Sequence, residues 1–199
     1  MLQDVIPALE SKLESGKVVG IGEIGLDYYH QDTEPALQRQ CFDLQLELAI
    51  THRLPVVVHS RNAMQDVLTH IRNHYSPIKA ESLAGYNGIL HAFEGSMEES
   101  LEAIHYGFLI GFGGPLTYNN ALLKQSIARH LPLDSMVLET DAPFLSPVPM
   151  RGQPNEPANI RIIAQKIAII RECDIKQVET QTTINASKLF HFGDAIVSA

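Results

Sequence analysis

Residues 17–27 read KVVGIGEIGLD, an apolar run that leads directly into acidic side chains. Three later stretches have the same form: LPVVVHSR at 54–61, GILHAFEG at 88–95 and MVLETDAPF at 136–144. Short apolar runs that end in polar, chemically active residues are typical of parallel α/β folds, where the carboxyl ends of the strands form the active-site face. The repetition of this form therefore predicts the fold class.

Working outward from these stretches, hydrophobic patterning predicts five strands, at 17–22, 54–58, 88–90, 108–112 and 136–140. Helices are predicted between and after them, at 2–14, from residue 35, and at 62–74, 97–106, 119–130, 157–171 and 175–190. Strands that alternate with helices indicate a parallel sheet. A closed (β/α) barrel needs eight strands, so the pattern predicts an incomplete TIM-type (β/α) barrel.

The composition is that of a globular protein, with 45% hydrophobic and 19% charged residues in 199, and we expect one partial barrel domain over residues 1–199. A net charge of −8 excludes nucleic-acid binding through overall charge, so any phosphate contact must be local. Cys41 and Cys173 form no C-x-x-C pair, which predicts a reducing cytoplasm. There is no signal-peptide pattern or 18-residue apolar run, and we expect no membrane association.

Four residues at the ends of predicted strands are candidates for chemistry: Glu23, His59, His91 and Asp141. Side chains at the carboxyl ends of parallel strands converge on one edge of the sheet. Two imidazoles with two carboxylates suit a divalent ion such as Zn²⁺, Mn²⁺ or Mg²⁺. A single histidine at a strand end is more often a hydrogen-bonded structural residue, but four repetitions of one placement favour a metal site.

The motifs around these residues also resemble those of a known family. They are GEIGLD at 22–27, followed by Tyr28, Tyr29 and His30, then VVVHSR at 56–61, HAFEG at 91–95, LETDAPF at 138–144 and PNEP at 154–157. In this order and spacing they look like the TatD family of metal-dependent hydrolases, whose characterised members include deoxyribonucleases. The resemblance extends from about residue 18 to residue 190, and the first and fourth motifs together are specific.

The resemblance implies a TIM-type barrel with a two-metal site and DNA as substrate. Glu23 matches the carboxylate that bridges both metals, and His59 and His91 match ligands of one of them. Asp141 matches a ligand of the other metal and a proton acceptor for the attacking water. Glu23 and Asp141 are therefore the candidate catalytic residues, and Mg²⁺, Mn²⁺ or Zn²⁺ the candidate cofactors.

The sequence departs from the family in one respect, since family members begin with a strand that ends in His-x-His and no His-x-His occurs here. The first predicted helix would precede the fourth barrel strand. We therefore expect an N-terminally truncated barrel in which strands four to eight are present and the first three are missing. Because the His pair helps to hold one metal in the family, we expect weak or no nuclease activity from this chain.

Other residues within the motifs are open to a functional and a structural interpretation. Arg61 is predicted to bind a substrate phosphate, with a solvated helix-start cation as the alternative. Asp27 is either a support for the metal ligands or a loop cap, and Glu139 is expected to face the barrel interior in a structural role. The histidines outside the motifs are predicted to lie on the solvated surface: His30, His52, His70, His74, His105, His130 and His191.

The sequence thus predicts a TatD-like hydrolase that cleaves phosphodiester bonds with metal-activated water, with DNA as substrate. One alternative keeps the fold but changes the substrate to an amide, a lactone or a small phosphoester, because metal-dependent barrels support many hydrolyses. Another alternative is an inactive, truncated remnant that survives as a fragment or through a partner.

The two edge strands of the predicted open barrel generate a prediction about self-association. Strands 17–22 and 136–140 would each lack one neighbour, and apolar side chains such as Val19, Ile21, Val137 and Leu138 would be exposed beside unpaired backbone groups. Each unsatisfied buried group costs about 1–3 kcal/mol against a total stability of about 5–15 kcal/mol. We expect the 199-residue chain to self-associate in size-exclusion chromatography with light scattering. A monodisperse monomer that unfolds cooperatively and binds no hydrophobic dye would contradict this.

Overall fold

The computed structural model describes residues 2–13, 15–30, 32–76 and 86–192. The strands are β1 (Ile21–Asp27), β2 (Val56–Arg61), β3 (Gly88–Leu90), β4 (Phe108–Phe112) and β5 (Met136–Leu138). The helices are α1 (Leu2–Leu13), α2 (Pro35–Thr51), α3 (Met64–His74), α4 (Met97–His105), α5 (Leu122–His130), α6 (Ile160–Arg171) and α7 (Ile175–Phe190). The strands form one parallel sheet in chain order, as the alternation of elements predicted.

The two faces of this sheet differ in what covers them. One face packs against the helices and forms the main core, with fully buried side chains such as Val58, Leu90 and Ile110. The other face carries a smaller apolar cluster in which Ile89 and Val137 pack against Leu189 of α7. Since residues alternate between faces along a strand, the polar side chains of the predicted site share the face of this smaller cluster.

Local sequence signals set the starts of two helices. Ser96 accepts a hydrogen bond from the backbone of Glu99, and the Glu99 side chain accepts one from the backbone of Ser96, so the predicted capping box opens α4. Asp174 caps α7 through a hydrogen bond from the backbone of Lys176. The buried side chain of Asn185 donates to two backbone oxygens near β5, which attaches α7 to that strand.

Two expectations about the edge strands are wrong. The first strand covers Ile21–Asp27 rather than 17–22, because its partner begins only at Val56 and Ile21 is the first residue paired with it. Glu23 therefore lies within a strand instead of following one. The expectation that Ile21 and Val137 are exposed is also wrong, because these side chains are only 8% and 3% exposed. Val19, by contrast, is 46% exposed. The helices cover Ile21, and α7 covers Val137.

The sheet and its flanking helices fit a TIM-type (β/α) barrel, in which parallel strands alternate with helices on the outer face. The match of these strands to the fourth to eighth of such a barrel stays a prediction. None of the helices in the described ranges combines the length and hydrophobicity needed to cross a membrane.

The prediction that the isolated histidines are solvated is wrong for His70 and His74. Their side chains are 12% and 17% exposed, and both contact the carboxylate of Asp43 on α2. The partner lies 27 residues before His70 in the chain, so neighbouring sequence gave no sign of the contact.

The approach of β1 to β2 generates the second prediction, which concerns Gly25. Gly25 pairs with His59, has a φ of +136°, and a Cβ added to it would overlap the backbone oxygen of His59. We expect Gly25→Ala to lower the free energy of unfolding by more than about 4 kcal/mol, because overlap adds to the roughly 1–2 kcal/mol of backbone strain. Gly152→Ala is the matched control, since its φ is +88° but a Cβ meets nothing within 4 Å. Equal losses in urea unfolding would contradict the steric explanation.

Candidate metal centre

Three of the four predicted ligands meet at one point on the face of the sheet that carries the smaller apolar cluster. The His59 Nδ1 atom lies 2.9 Å from Oε1 of Glu23, and the His91 Nε2 atom lies 3.4 Å from the same oxygen. Ligand atoms of Glu23, His59 and His91 all lie within 4.8 Å of one another. Asp141 follows β5 and places Oδ1 3.8 Å from Nε2 of His91, so the structure brings all four residues together.

Glu139 fixes the orientation of His91. Its Oε2 atom is 3.0 Å from Nδ1 of His91, and its Oε1 atom accepts a hydrogen bond from the backbone N–H of Ala92 at 2.5 Å. A Cβ on Gly111 would lie only 2.7 Å from Oε2, so the glycine provides the space for this carboxylate. A histidine whose Nδ1 donates to a carboxylate presents its Nε2 lone pair, and here Nε2 faces Glu23 and Asp141.

Asp27 lies at the end of β1, and its contacts fit both alternatives, the loop cap and the support for His59. Its Oδ1 accepts hydrogen bonds from the backbone N–H groups of Tyr29 and His30, while Oδ2 lies 2.7 Å from Nδ1 of His30. Oδ2 is also 3.4 Å from Nε2 of His59. Burial acts to raise the pKa of Asp27, but the hydrogen bonds outweigh it and hold the pKa at about 2.

Burial and a concentration of negative charge together shift the pKa values of titratable groups in the site. The hydrogen bond to Glu139 raises the pKa of His91, burial lowers it, and the surrounding carboxylates raise it further, to about 9. Burial raises the pKa of Asp141, with neighbouring carboxylates adding to the effect of burial and His91 opposing it. Burial lowers the pKa of Lys124 on α5, against the charges of Glu94 and Glu139.

The loop after β5 is closed at its base by Asn155, which is 4% exposed. Its Nδ2 atom donates to the backbone oxygens of Thr140 and Phe144, at 2.6 and 2.8 Å. Its backbone N–H donates to the oxygen of Pro143 at 2.9 Å. These bonds surround Asp141 on both sides in the chain, so Asn155 holds the backbone that carries this carboxylate.

A cavity of about 360 Å³ lies between the end of β2 and the start of α4. Its lining includes Ser60, whose buried hydroxyl has no hydrogen-bond partner among the described residues, and Glu94. Arg61 is exposed at the end of β2, and its guanidinium carbon stacks 4.0 Å above the ring of Tyr29. The cavity falls within the size range of small-molecule sites.

Comparison with known proteins identifies the family. The family model for TatD-related DNases matches residues 2–191. The chain belongs to this family. YabD of Bacillus subtilis, named an uncharacterised metal-dependent hydrolase, is 38% identical over 174 residues, which cover 87% of this chain and 66% of YabD. The 3′-5′ ssDNA/RNA exonuclease TatD of Erwinia amylovora is 34% identical over 182 residues, 89% of this chain and 68% of the relative.

Solved structures of TatD proteins agree with the fold. The crystal structure of YjjV, a TatD homologue from Escherichia coli, matches with a TM-score of 0.83 and 31% identity, over 96% of this chain and 70% of YjjV. The chain spans 66% of the length of YabD and 63% of that of Escherichia coli YcfH, so it corresponds to about two thirds of these relatives.

Two features of the site do not follow from the sequence: the position of Lys124 near the carboxylates and the contact of Glu139 with His91. Lys124 was not singled out, because a lysine on an amphipathic helix has no local signal that it faces a carboxylate cluster. Glu139 was expected to face inward, and its position two residues before Asp141 was the correct signal. Its contact with His91, 48 residues away in the chain, follows only from the pairing of β3 with β4 and of β4 with β5.

The contact between Glu139 and His91 generates the third prediction. In the chelator-treated chain we expect the imidazole of His91 to titrate near pH 9, because Glu139 stabilises its protonated form. Glu139→Gln should shift this midpoint downward, toward the ordinary histidine value of about 6.5. The stability gained from protonated His91 is then complete below about pH 6.5 and lost as pH rises through about 9. NMR titration of the ring protons measures the midpoint, with Glu102→Gln, a surface carboxylate on α4, as control. An unchanged midpoint in Glu139→Gln would refute the assignment.

Proposed function

We propose that this chain provides the metal-binding and catalytic carboxylates of a divalent-metal-dependent phosphodiesterase that acts on DNA. The observation that carries the proposal is the convergence of ligand atoms from Glu23, His59 and His91 within 4.8 Å, with Asp141 next to them. Family membership gives this geometry its chemical meaning, because relatives carry the name metal-dependent hydrolase and one is named an exonuclease.

The donor set fits a divalent cation in two respects. Four carboxylates, those of Glu23, Asp27, Glu139 and Asp141, lie within 4.0 Å of two imidazoles, so negative charge remains in excess even with both rings protonated. In addition, the Glu139 contact leaves Nε2 of His91 available for a ligand. Imidazole nitrogens with carboxylate oxygens suit Zn²⁺ and Mn²⁺, and Mg²⁺ is favoured as the carboxylate share increases. The proposal extends to two ions, and Glu23 would help to hold both.

Bound divalent ions would polarise a phosphate oxygen and lower the pKa of water. The chain's own residues contribute position and proton transfer. Asp141 is half-buried and has a raised pKa, which suits it to accept the proton of an attacking water at a carboxylate oxygen. Glu139 keeps the His91 ring fixed, and Asp27 contacts the far nitrogen of His59. The apolar residues below the site exclude water from one side.

Two exposed residues near the candidate metal centre support a nucleic-acid substrate. Arg61 presents an exposed guanidinium, which binds phosphate well, and Tyr29 beside it is 58% exposed and offers a ring for stacking with a base. With a net charge of −8, such contacts must act locally. We assign Arg61 to substrate binding on this basis. The five strands are proposed to correspond to strands four to eight of the family barrel, and the free thiols of Cys41 and Cys173 support a cytoplasmic location.

Single-turnover hydrolysis is the fourth prediction and tests the proposed function. With the protein in molar excess over an end-labelled single-stranded oligodeoxynucleotide, we expect cleavage with Mg²⁺ or Mn²⁺ and none with chelator. The cleavage should be slow because the sequence contains no His-x-His pair. Glu23→Gln and Asp141→Asn should each lower the rate by more than about 100-fold, the upper end of losses seen for groups that only support metal ligands.

The control for this assay is Glu102→Gln, which changes a carboxylate paired with Arg72 on the helical surface. It should cleave at the rate of the unchanged chain. Faster metal-dependent turnover of an amide, a lactone or a phosphomonoester would replace the substrate assignment. A folded chain that binds metal and cleaves none of these substrates would overturn the proposal in favour of an inactive fragment.

A further inference from the structure

A second cluster of metal-ligating side chains lies between α2 and α3. His70 and His74 are one turn apart on α3, so they share a helix face, and Asp43 faces them from α2. One oxygen, Oδ1 of Asp43, lies 2.5 Å from Nδ1 of His70 and 2.8 Å from Nε2 of His74. Ligand atoms of the three residues all lie within 4.8 Å of one another.

This cluster is separate from the candidate metal centre. Helix α3 begins at Met64, directly after the carboxyl end of β2, and runs back toward the amino end of β3 as a crossover between parallel strands requires. At 1.5 Å per residue, His70 lies about 9 Å and His74 about 15 Å along the helix from its start. The two histidines therefore approach the opposite end of the sheet from Glu23 and Asp141, in the outer helical layer.

The side chains are held in place as ligands are in metal sites. The His70 and His74 side chains are only 12% and 17% exposed, and the ring of His70 packs against that of Phe42, with centroids 5.6 Å apart. Both imidazoles direct a nitrogen at the same point, from adjacent turns of one rigid helix. The Asp43 side chain is 39% exposed, so solvent reaches the cluster and can supply a further ligand.

We propose that Asp43, His70 and His74 form a second divalent transition-metal site, best matched to Zn²⁺, that links α2 to α3. Two imidazoles with one carboxylate and an open position are a donor set that zinc uses in proteins. Imidazole nitrogens disfavour Mg²⁺ and Ca²⁺, which prefer oxygen ligands. Zinc bonds of about 2.0–2.2 Å place tetrahedral ligands about 3.3–3.6 Å apart. The present separations are 2.5 and 2.8 Å, so binding requires Asp43, the most exposed of the three, to move back by about half an ångström to an ångström.

The proposed role is structural, since the ion would connect two helices that pack against the same face of the sheet. A ligand that binds only the folded chain raises its stability in proportion to the logarithm of its concentration above Kd. For a chain of this size, a hundredfold excess of Zn²⁺ over Kd should raise Tm by about 5 °C or more.

Metal titration of the purified 199-residue chain is the fifth prediction, and its readouts are stoichiometry, the visible absorption of bound Co²⁺, and Tm. The titration is made in a His59→Asn, His91→Asn background, which disables the candidate metal centre, so the result is independent of the proposed function. We expect one equivalent of Co²⁺ or Zn²⁺ to remain bound. His70→Gln and His74→Gln should each abolish it and remove the zinc-dependent rise in Tm.

The matched control is His105→Gln, since His105 is an exposed histidine at the end of α4. It should keep the full equivalent. If the background variant fails to fold, the titration is made on the chain with His59 and His91 unchanged. There His70→Gln or the conservative Asp43→Asn should lower the number of bound metal equivalents by one. No equivalent assignable to His70 and His74, or a Tm that depends on pH but not on Zn²⁺, would overturn the proposal and leave the cluster as a hydrogen-bonded ion pair.

Discussion

The close approach of β1 to β2 at Gly25 is the contact on which the candidate metal centre depends. Gly25 lies opposite His59, and Glu23 and Asp27 are two residues away on either side, on the same face of the strand. One carboxylate therefore reaches Nδ1 of His59 and the other approaches Nε2. A side chain at Gly25 would separate the strands and break both contacts at once.

The remaining strands add a net negative charge to this arrangement, because they contribute two carboxylates and one imidazole. β3 leads into His91, and the segment after β5 supplies Glu139 and Asp141, so carboxylates face each other across a half-buried surface. Beneath them, Ile89 and Val137 pack against α7 and exclude solvent from below. Charges of one sign at such a place repel each other more strongly than they would in water, which is the physical reason for expecting a cation between them.

The sequence predicted what depends on short stretches of chain. Ser96 with Glu99 predicted the start of α4, and the apolar run at 108–112 predicted β4 to the residue. Strand pairing determines the rest. β1 begins where β2 provides a partner, so Glu23 lies inside the strand and not after its end, as the sequence had predicted. His70 and Asp43 lie on different helices, and only the packing of α2 against α3 shows that they meet. Distant contacts of this kind leave no periodicity in either segment.

The position of Asn155 has a consequence for how this protein family can diversify. Its side chain bonds the backbone on either side of Asp141, at Thr140 and Phe144, so the carboxylate is held from the far end of the loop that follows β5. Phe144 and Val148 in this loop are 68% and 43% exposed. Selection can therefore alter exposed side chains of the loop, such as these two, while the carboxylate of Asp141 keeps its position. In evolutionary terms, one buried asparagine leaves the edge of the candidate site free to vary around a carboxylate whose position is fixed.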